Sequence, residues 1–186
     1  MESFDEPGPL QLRSKLLLAA PALQDPNFHR TAILVTEHEP TQGAQGYVLN
    51  RPLGKTVGQL LTGPEFVPLA EVPVCVGGPV SHEKLTFASF WWNREEGSLV
   101  PESHLSHDQA VEALLDGKTV RAFVGYSGWR EGQLEEELRQ ETWILHKGSP
   151  WLAEQGATEP LWEKLLESLG PWYQLLAATP GNPTLN

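Results

Sequence analysis

The sequence predicts an α+β fold, a single domain with a mixed or mostly antiparallel sheet. The chain has 186 residues, which is the length of one domain. No linker-like stretch or change of composition divides it. Its strand-length apolar runs follow one another in pairs more often than they alternate with helices. This order favours antiparallel pairing over a doubly wound parallel sheet. We therefore expect one domain over residues 1–186.

The first half of the chain is predicted to consist mostly of strands. Residues 1–12, with Pro7 and Pro9, are expected to form a flexible arm. Runs of strand length follow at Lys15–Ala20, Thr31–Thr36, Gln45–Leu49, Val72–Val76 and Lys84–Trp91, with a helical turn at Thr56–Leu61. A Gly-containing turn joins the second run to the third, which predicts a hairpin. Pro52 ends this hairpin, because proline cannot donate to a central ladder.

The second half of the chain mixes helices with strands. His107–Asp116 has the apolar spacing of an amphipathic helix, with Ser106 as its N-cap and Gly117 at its end. Further strands are predicted at Thr119–Tyr126 and Thr142–His146, a loop at Gly125–Gly132, helices at Glu131–Arg139 and Glu159–Leu169, and a frayed tail at Thr179–Asn186. These elements complete the α+β pattern.

The charge balance excludes several classes of function. Thirteen Lys and Arg residues stand against 24 Asp and Glu residues, a formal net charge of −11 at pH 7. Because phosphate binding needs a basic face, we expect neither direct nucleic-acid contact nor attachment to an anionic membrane. The apolar run Leu16–Leu23 is far shorter than the about 20 residues of a membrane span. Cys75 is the only cysteine, which excludes an intramolecular disulfide and is compatible with the cytoplasm.

Several motifs occur together between about residues 16 and 145. They are Pro21, Asp25-Pro26-x-Phe28, Glu37-His38, Gly43, Gly46, Val48-Leu49-Asn50-Arg51-Pro52, Gly77-Gly78-Pro79-Val80, Gly125-Tyr126-Ser127-Gly128-Trp129, Gly132-Gln133-Leu134-Glu135 and Trp143. This combination resembles the AlgH/YqgE family of bacterial proteins. The resemblance implies a sheet bent into a half-barrel flanked by helices, and the bacterial cytoplasm. It carries a transcriptional-regulator label and supplies no reaction. Many relatives have Cys where Thr36 stands, so thiol chemistry does not transfer.

The first candidate site is the polar end of the second strand, Glu37-His38-Glu39. A histidine can act as a base or a metal ligand near neutral pH, and a carboxylate can orient it. Adjacent strand residues point to opposite faces, however, so Glu37 and Glu39 are expected on one face and His38 on the other. The alternative is a polar strand end that holds the following turn.

The next candidates are Asn50 and Arg51, at the end of the predicted hairpin. The guanidinium of Arg51 could hold an anionic ligand in bidentate fashion, or it could pair with Glu37 and lock the hairpin. Asn50 is expected to form a turn through its own side-chain hydrogen bonds. Gly77-Gly78-Pro79 could form a phosphate nest or, more simply, a tight turn. The sequence contains no known nucleotide-binding loop.

A third candidate is the segment Gly125–Trp129, expected to turn from strand to helix. A nucleophile elbow of the G-x-S-x-G type would need glycine where Trp129 stands. Ser127 could instead donate at the helix entrance, Trp129 could offer a flat apolar surface, and Gln133 follows in the first helical turn. The alternative is a structural turn with a core tryptophan.

One tryptophan pair and one histidine pair are further candidates for partner and metal binding. Adjacent strand residues cannot both be core, so one of Trp91 and Trp92 is expected to be exposed, as ordinary surface or as a homo-oligomer contact. His104 and His107 have the i, i+3 spacing of helical metal ligands. The predicted helix begins only at His107, so we predict no metal site there.

The function predicted from these observations is a non-enzymatic regulatory, interaction or ligand-binding module with a protein or small-molecule partner. Its binding surface would form where the candidate residues meet: Glu37, His38, Asn50, Arg51, Ser127, Trp129 and Gln133. A shared surface requires these segments to lie within about 15 Å of one another. The alternative is a hydrolase-like enzyme with His38 as an exposed base and Arg51 as an anion clamp. No cofactor and no metal are predicted.

Overall fold

The protein is built on one curled sheet of nine strands with short helices around it. The computed structural model describes residues 10–153 and 160–178. Its strands are β1 (Leu16–Ala19), β2 (Ala32–Glu39), β3 (Gly43–Val48), β4 (Pro52–Thr56), β5 (Pro73–Val76), β6 (Val80–Asn93), β7 (Ser98–Leu105), β8 (Thr119–Trp129) and β9 (Trp143–His146). Its helices are α1 (Val57–Leu60), α2 (His107–Leu115), α3 (Gln133–Arg139), α4 (Leu161–Glu167) and α5 (Pro171–Ala178), with 3₁₀ turns at Pro64–Leu69 and Pro150–Ala153.

The sheet is mixed, as the sequence predicted. The main strand order is β4-β5-β8-β3-β2-β1-β9, and β6 pairs with both β8 and β7. The β5–β8 pair is parallel and the other strand pairs are antiparallel. The first part of β8 pairs with β5 and β6, whereas its end pairs with β3. One strand therefore belongs to both halves of the sheet, and the sheet curls around it into a half-barrel.

Glycines allow two backbone segments, Gly77-Gly78 and the middle of β8, to pass close to one another where the sheet curls. Gly125, within β8, has φ +70°, a conformation that glycine adopts without strain. The amide of Gly77 donates to the Val124 carbonyl at 2.9 Å. A Cβ atom on Gly78 would lie 2.3 Å from the Tyr126 carbonyl carbon. The segment predicted as a loop from Gly125 to Gly132 is thus largely strand, because β8 continues to Trp129.

Apolar side chains pack on both faces of the sheet. Leu16 and Leu18 of β1 belong to an inner cluster that α4 covers, whereas Leu17 and Ala19 belong to an outer cluster that includes Leu134 of α3. This burial on both faces explains why β1 reads as an unbroken apolar run rather than an alternating one. A third cluster joins α1 and α2 to the other half of the sheet.

Two predictions about the chain ends and the tryptophans change with the structure. Leu12, at the end of the predicted flexible arm, is fully buried, while residues 1–9 and the predicted tail 179–186 lie outside the described residues. Trp91 and Trp92 are both half-buried, because Lys118 lies over the Trp91 ring at 4.2 Å and Trp92 packs against the inner cluster. Neither is the exposed surface that was predicted. In the described part of the chain, no helix combines the length and apolar character that crossing a bilayer requires.

Candidate functional site

A β-bulge near the end of β2 decides which way the candidate residues point. The pairing of β2 with β3 shifts register between Val35 and Glu37. Leu34 pairs with Tyr47 and Glu37 pairs with Gln45, so Leu34 and Glu37 share a face despite their odd spacing. Glu37 therefore lies on the inner face of the half-barrel. Its neighbour His38 points to the outer face, under α3.

Four polar side chains from three strands meet at this end of the inner face. We call them the mouth cluster: Glu37 of β2, Gln45 of β3, and Ser103 and His104 of β7. Ser103 Oγ donates to Glu37 Oε1 at 2.8 Å, and the Gln45 amide lies 2.7 Å from His104 Nε2. His104 Nε2 is 3.6 Å from Glu37 Oε1. The side chains of Glu37 and His104 remain 53% and 50% exposed, so a binding partner can reach them.

One side chain and one unusual backbone conformation shape β7 beside this cluster. Arg13 Nε donates to the Thr36 carbonyl and its Nη2 to the Pro101 carbonyl, both at 3.0 Å. The Arg13 side chain thus links the bulge of β2 to β7 through two hydrogen bonds. His104 itself has φ +55°, a left-handed conformation that is uncommon for a residue with a side chain. Such a conformation persists only where surrounding contacts impose it, and it often accompanies a functional site.

A buried hydroxyl lies on the same face as the mouth cluster. Tyr47 stacks on Phe123 with 4.4 Å between ring centroids, and its hydroxyl is 3.4 Å from Thr86 Oγ1. Burial raises the pKa of the Tyr47 phenol, while hydrogen bonds from Thr86 and Gln45 act in the opposite direction. The phenol therefore stays protonated at neutral pH. It is a hydrogen-bonding group and not a base.

His38 is fully buried and already has two hydrogen-bonding partners. The Leu12 amide donates to Nδ1 at 3.4 Å, so the ring proton is on Nε2, which donates to Glu135 Oε1 at 2.8 Å. The prediction of an exposed His38 on a pocket floor is wrong. The ring instead ties the N-terminal segment to α3.

Asn50 and Arg51 lie at the opposite end of β2. Asn50 Oδ1 accepts from the Ala32 amide at 2.9 Å, and its Nδ2 donates to the Arg30 carbonyl at 2.8 Å. Asn50 is thus a brace between distant segments and not a turn former. Arg51 Nη2 donates to the His29 carbonyl. The predicted ion pair between Arg51 and Glu37 is wrong, because β2 places them roughly 20 Å apart at about 3.3 Å per residue.

Ser127, Trp129 and Gln133 make internal hydrogen bonds. Ser127 is fully buried, and its Oγ donates to the Gly77 carbonyl at 3.1 Å. Glu137 of α3 accepts from Trp129 Nε1 at 2.8 Å, from Trp143 Nε1 at 2.7 Å and from Gln133 Nε2 at 2.9 Å. One carboxylate therefore fixes both tryptophans and the glutamine. Trp129 is core and offers no flat outer surface.

The structure brings only some of the predicted residues together. His38, Ala44 and Trp129 form one row across β2, β3 and β8, so His38 and Trp129 are about 10 Å apart by strand spacing. Asn50 and Arg51 lie roughly 20 Å from Glu37 at about 3.3 Å per residue, so the seven residues do not form one shared surface. No sequence pattern indicates Gln45, Ser103 or a partner for His104, because β7 follows β2 by some 60 residues and no local pattern links the two strands. Among the described residues, no group of three His, Cys, Asp or Glu side chains could hold a metal ion.

The contact between Glu135 and His38 predicts a pH effect on stability. Burial alone would raise the pKa of the Glu135 carboxyl, but the hydrogen bond from His38 and nearby positive charge carry it below its ordinary 4.5. The ionised carboxylate therefore stabilises the folded state above about pH 4.5, and this contribution is lost as the pH falls through the lowered pKa. We expect Glu135→Gln to lower the free energy of unfolding by about 1 kcal/mol at pH 7.

Urea unfolding of wild type and Glu135→Gln at pH 7 and at pH 3 checks this expectation. The difference between them should shrink at the lower pH. Glu131→Gln, an exposed change in the turn before α3, is the control and should behave like wild type. A difference between wild type and Glu135→Gln that is the same at both pH values would contradict the assignment.

The fold defines a class: single-domain mixed α+β proteins with a curled half-barrel sheet and surrounding helices. A family model described as DUF179, AlgH-like, matches residues 16–174. The chain belongs to this AlgH-like family. A UPF0301 protein of Chlorobium luteolum is 33% identical over 180 residues, which cover 92% of this chain and 93% of the relative. A UPF0301 protein of Chlorobium limicola is 31% identical over the whole of both chains.

Solved structures agree with this assignment. The AlgH protein from Pseudomonas aeruginosa, determined in solution, has a TM-score of 0.64 and 28% identity, covering 98% of this chain and 100% of that one. A crystal structure of a Corynebacterium diphtheriae protein has a TM-score of 0.70 and 21% identity, covering 96% of this chain and 95% of the other. The latter likeness shows the fold alone. Both structures confirm the half-barrel fold that the sequence predicted.

Proposed function

We propose that the protein is a non-enzymatic binding module of the bacterial cytoplasm that takes its ligand or partner at the mouth cluster. The observation that carries this proposal is the exposed network of Glu37, Ser103, His104 and Gln45. Side chains from three strands are held there by contacts within the protein, so little ordering is needed when a partner binds. The single thiol of Cys75 is compatible with a reducing compartment.

The chemistry of the cluster favours a cationic partner. Glu37 offers a half-exposed carboxylate, and Gln45 and His104 add hydrogen-bonding groups beside it. The net charge of −11 steers cations towards the protein and repels nucleic acid. Any regulatory role would then act through a protein or small molecule with a basic group. Salt-sensitive retention of a plain DNA duplex by the purified protein would argue against this.

The contacts of the other candidate residues favour binding over hydrolysis. Ser103 Oγ gives its proton to the Glu37 carboxylate, and Ser127 Oγ gives its proton to a carbonyl. A serine nucleophile is usually activated by a base such as histidine that takes this proton, and neither hydroxyl donates to a histidine. His38 and Arg51, the residues of the enzymatic alternative, are separated by the length of β2. The geometry therefore gives that alternative no support.

A thermal-shift titration with spermidine and with a lysine-rich peptide tests the proposal. A ligand at a hundredfold excess over its Kd stabilises the folded state by about 2.7 kcal/mol, which is roughly 5 °C or more in a chain of this size. We expect a shift with at least one of these probes, and its loss in Glu37→Gln. Glu112→Gln removes the same charge from an exposed position on α2 and should keep the shift. Shifts that survive both Glu37→Gln and His104→Ala would overturn the assignment.

A further inference from the structure

A second cleft, which shares no residue with the mouth cluster, lies between the end of β9 and α4. Its volume is about 470 Å³, within the range of small-ligand sites. Leu145 and Trp151 line it on the side of β9 and the following 3₁₀ turn, and Leu165 and Leu169 line it on the side of α4. Leu145 and Leu169 are 38% and 36% exposed, so the cleft presents apolar surface to water. A hydrocarbon chain would cover that surface.

The polar floor of this cleft is arranged for binding and not for catalysis. The Gly148 amide donates to His146 Nδ1 at 2.9 Å, so the ring proton is on Nε2, which donates to Ser168 Oγ at 2.9 Å. Ser168 Oγ in turn donates to the Leu165 carbonyl at 2.7 Å. Burial, with a smaller effect of Lys147, lowers the pKa of His146, so the ring is neutral at pH 7. Ser168 Oγ therefore donates its proton to a carbonyl and accepts a hydrogen bond from His146, so the histidine does not act as a base towards this serine.

Two lysines lie beside this cleft in an otherwise acidic protein. Lys147 lines the cleft and is exposed. Lys164 Nζ lies 5.1 Å from the ring centroid of Trp151, one of the cleft walls. Glu163, on the same helix as Lys164, faces Arg30 at 3.5 Å. Two of the 13 basic residues thus flank one apolar cleft, and their charge complements a single anionic group.

We propose that this cleft binds a medium-chain carboxylate. The hydrocarbon chain lies between Leu145, Leu169 and Trp151, and the carboxylate lies between Lys147 and Lys164. The ligand is held without chemical change, since no group on the floor is placed to act as a nucleophile or a base. This site is separate from the mouth cluster and adds a second ligand class, an amphiphilic anion, to the cationic partner proposed there.

Titration of the full chain with decanoate, followed by calorimetry and tryptophan fluorescence, tests the proposal. We expect one saturable site, with decanoate binding about tenfold more tightly than decanol and decylammonium not binding. Lys147→Gln should weaken decanoate binding about fivefold and leave decanol binding unchanged. Lys84→Gln, an exposed lysine on β6, is the matched control and should bind like wild type.

A blocking variant and a size measurement complete the test. Leu169→Trp fills the cleft and should abolish binding of both decanoate and decanol, whereas Leu115→Trp on the exposed face of α2 should not. Glu37→Gln should leave decanoate binding intact, which separates this proposal from the mouth cluster. No saturable binding up to about 1 mM decanoate, or unchanged binding in Lys147→Gln and Leu169→Trp, would overturn it. A dimer that Leu169→Trp dissociates would assign the cleft to a second copy of the chain and also overturn it.

Discussion

Replacing Gly125 with alanine is expected to lower the free energy of unfolding by at least about 3 kcal/mol. Gly125 has φ +70°, where a side chain strains the backbone. Its new Cβ atom would lie 2.5 Å from the Gly78 carbonyl oxygen and 2.8 Å from the Val80 carbonyl oxygen. Both neighbours are backbone atoms of the crossing segment, so neither can turn aside as a flexible side chain would. The curl of the sheet must open to make room.

Gly54→Ala is a closely matched control for this substitution. Gly54 has φ +71°, almost the same backbone conformation, but its Cβ atom would meet nothing within 4 Å. Its alanine variant should therefore show the backbone strain alone, about 1 kcal/mol. Urea unfolding followed by circular dichroism measures both variants against wild type. Equal losses in the two variants would mean that the crossing of β8 and the Gly77-Gly78 segment tolerates a methyl group.

Asn50→Ala is expected to destabilise the protein by about 3 kcal/mol. The Asn50 side chain is buried and satisfies the Ala32 amide and the Arg30 carbonyl. Alanine removes both partners, and each buried backbone group then loses its hydrogen bond without gaining water. Because β2 begins at Ala32, the loss should appear as global destabilisation and not only as local fraying.

Asn93→Ala provides the comparison for this variant. Asn93 Oδ1 accepts from the amides of Glu95 and Glu96 in the exposed turn between β6 and β7. Water can replace those bonds, so a loss of only about 0.5 kcal/mol is expected. Chemical denaturation of both variants at pH 7 gives the two values. If Asn50→Ala were as stable as Asn93→Ala, the two hydrogen bonds of Asn50 would not be needed for stability. The binding role that the sequence predicted for Asn50 would then be favoured again.

The sequence predicted where helices and strands form better than it predicted which of them contact one another. The amphipathic helix beginning at His107 is present, with Ser106 Oγ accepting from the Gln109 amide as an N-cap. The strands predicted at Lys84–Trp91 and Thr119–Tyr126 are also present, as β6 and β8, whereas β7 was not predicted. The region from Gly125 to Trp129 was predicted as a turn, because its glycines are typical of turns. The structure instead uses Gly125 for a close approach of two backbone segments within a continuous strand.

The candidate site was predicted least well, for a geometric reason. An alternating strand reverses its two faces whenever one residue is inserted, and the bulge in β2 is such an insertion. Glu37 and His38 were expected on opposite faces, and they are. Which of the two is exposed depended on what packs on each face, and the sequence contains no local signal for that. α3 covers His38, and β7 brings Ser103 to Glu37.

By itself, the sequence determined the α+β class, the family motifs, the acidic charge and the places of most strands. These follow from composition and from patterns within about ten residues, where local periodicity reports burial directly. Only the tertiary structure decided that Asn50 braces β2, that Ser127 and Trp129 are internal, and that Glu37 meets His104. Each of these contacts joins residues separated by many positions in the chain. The packing of whole elements selects such partners. A buried polar side chain without a hydrogen bond is costly, so it pairs with whichever group the fold places beside it.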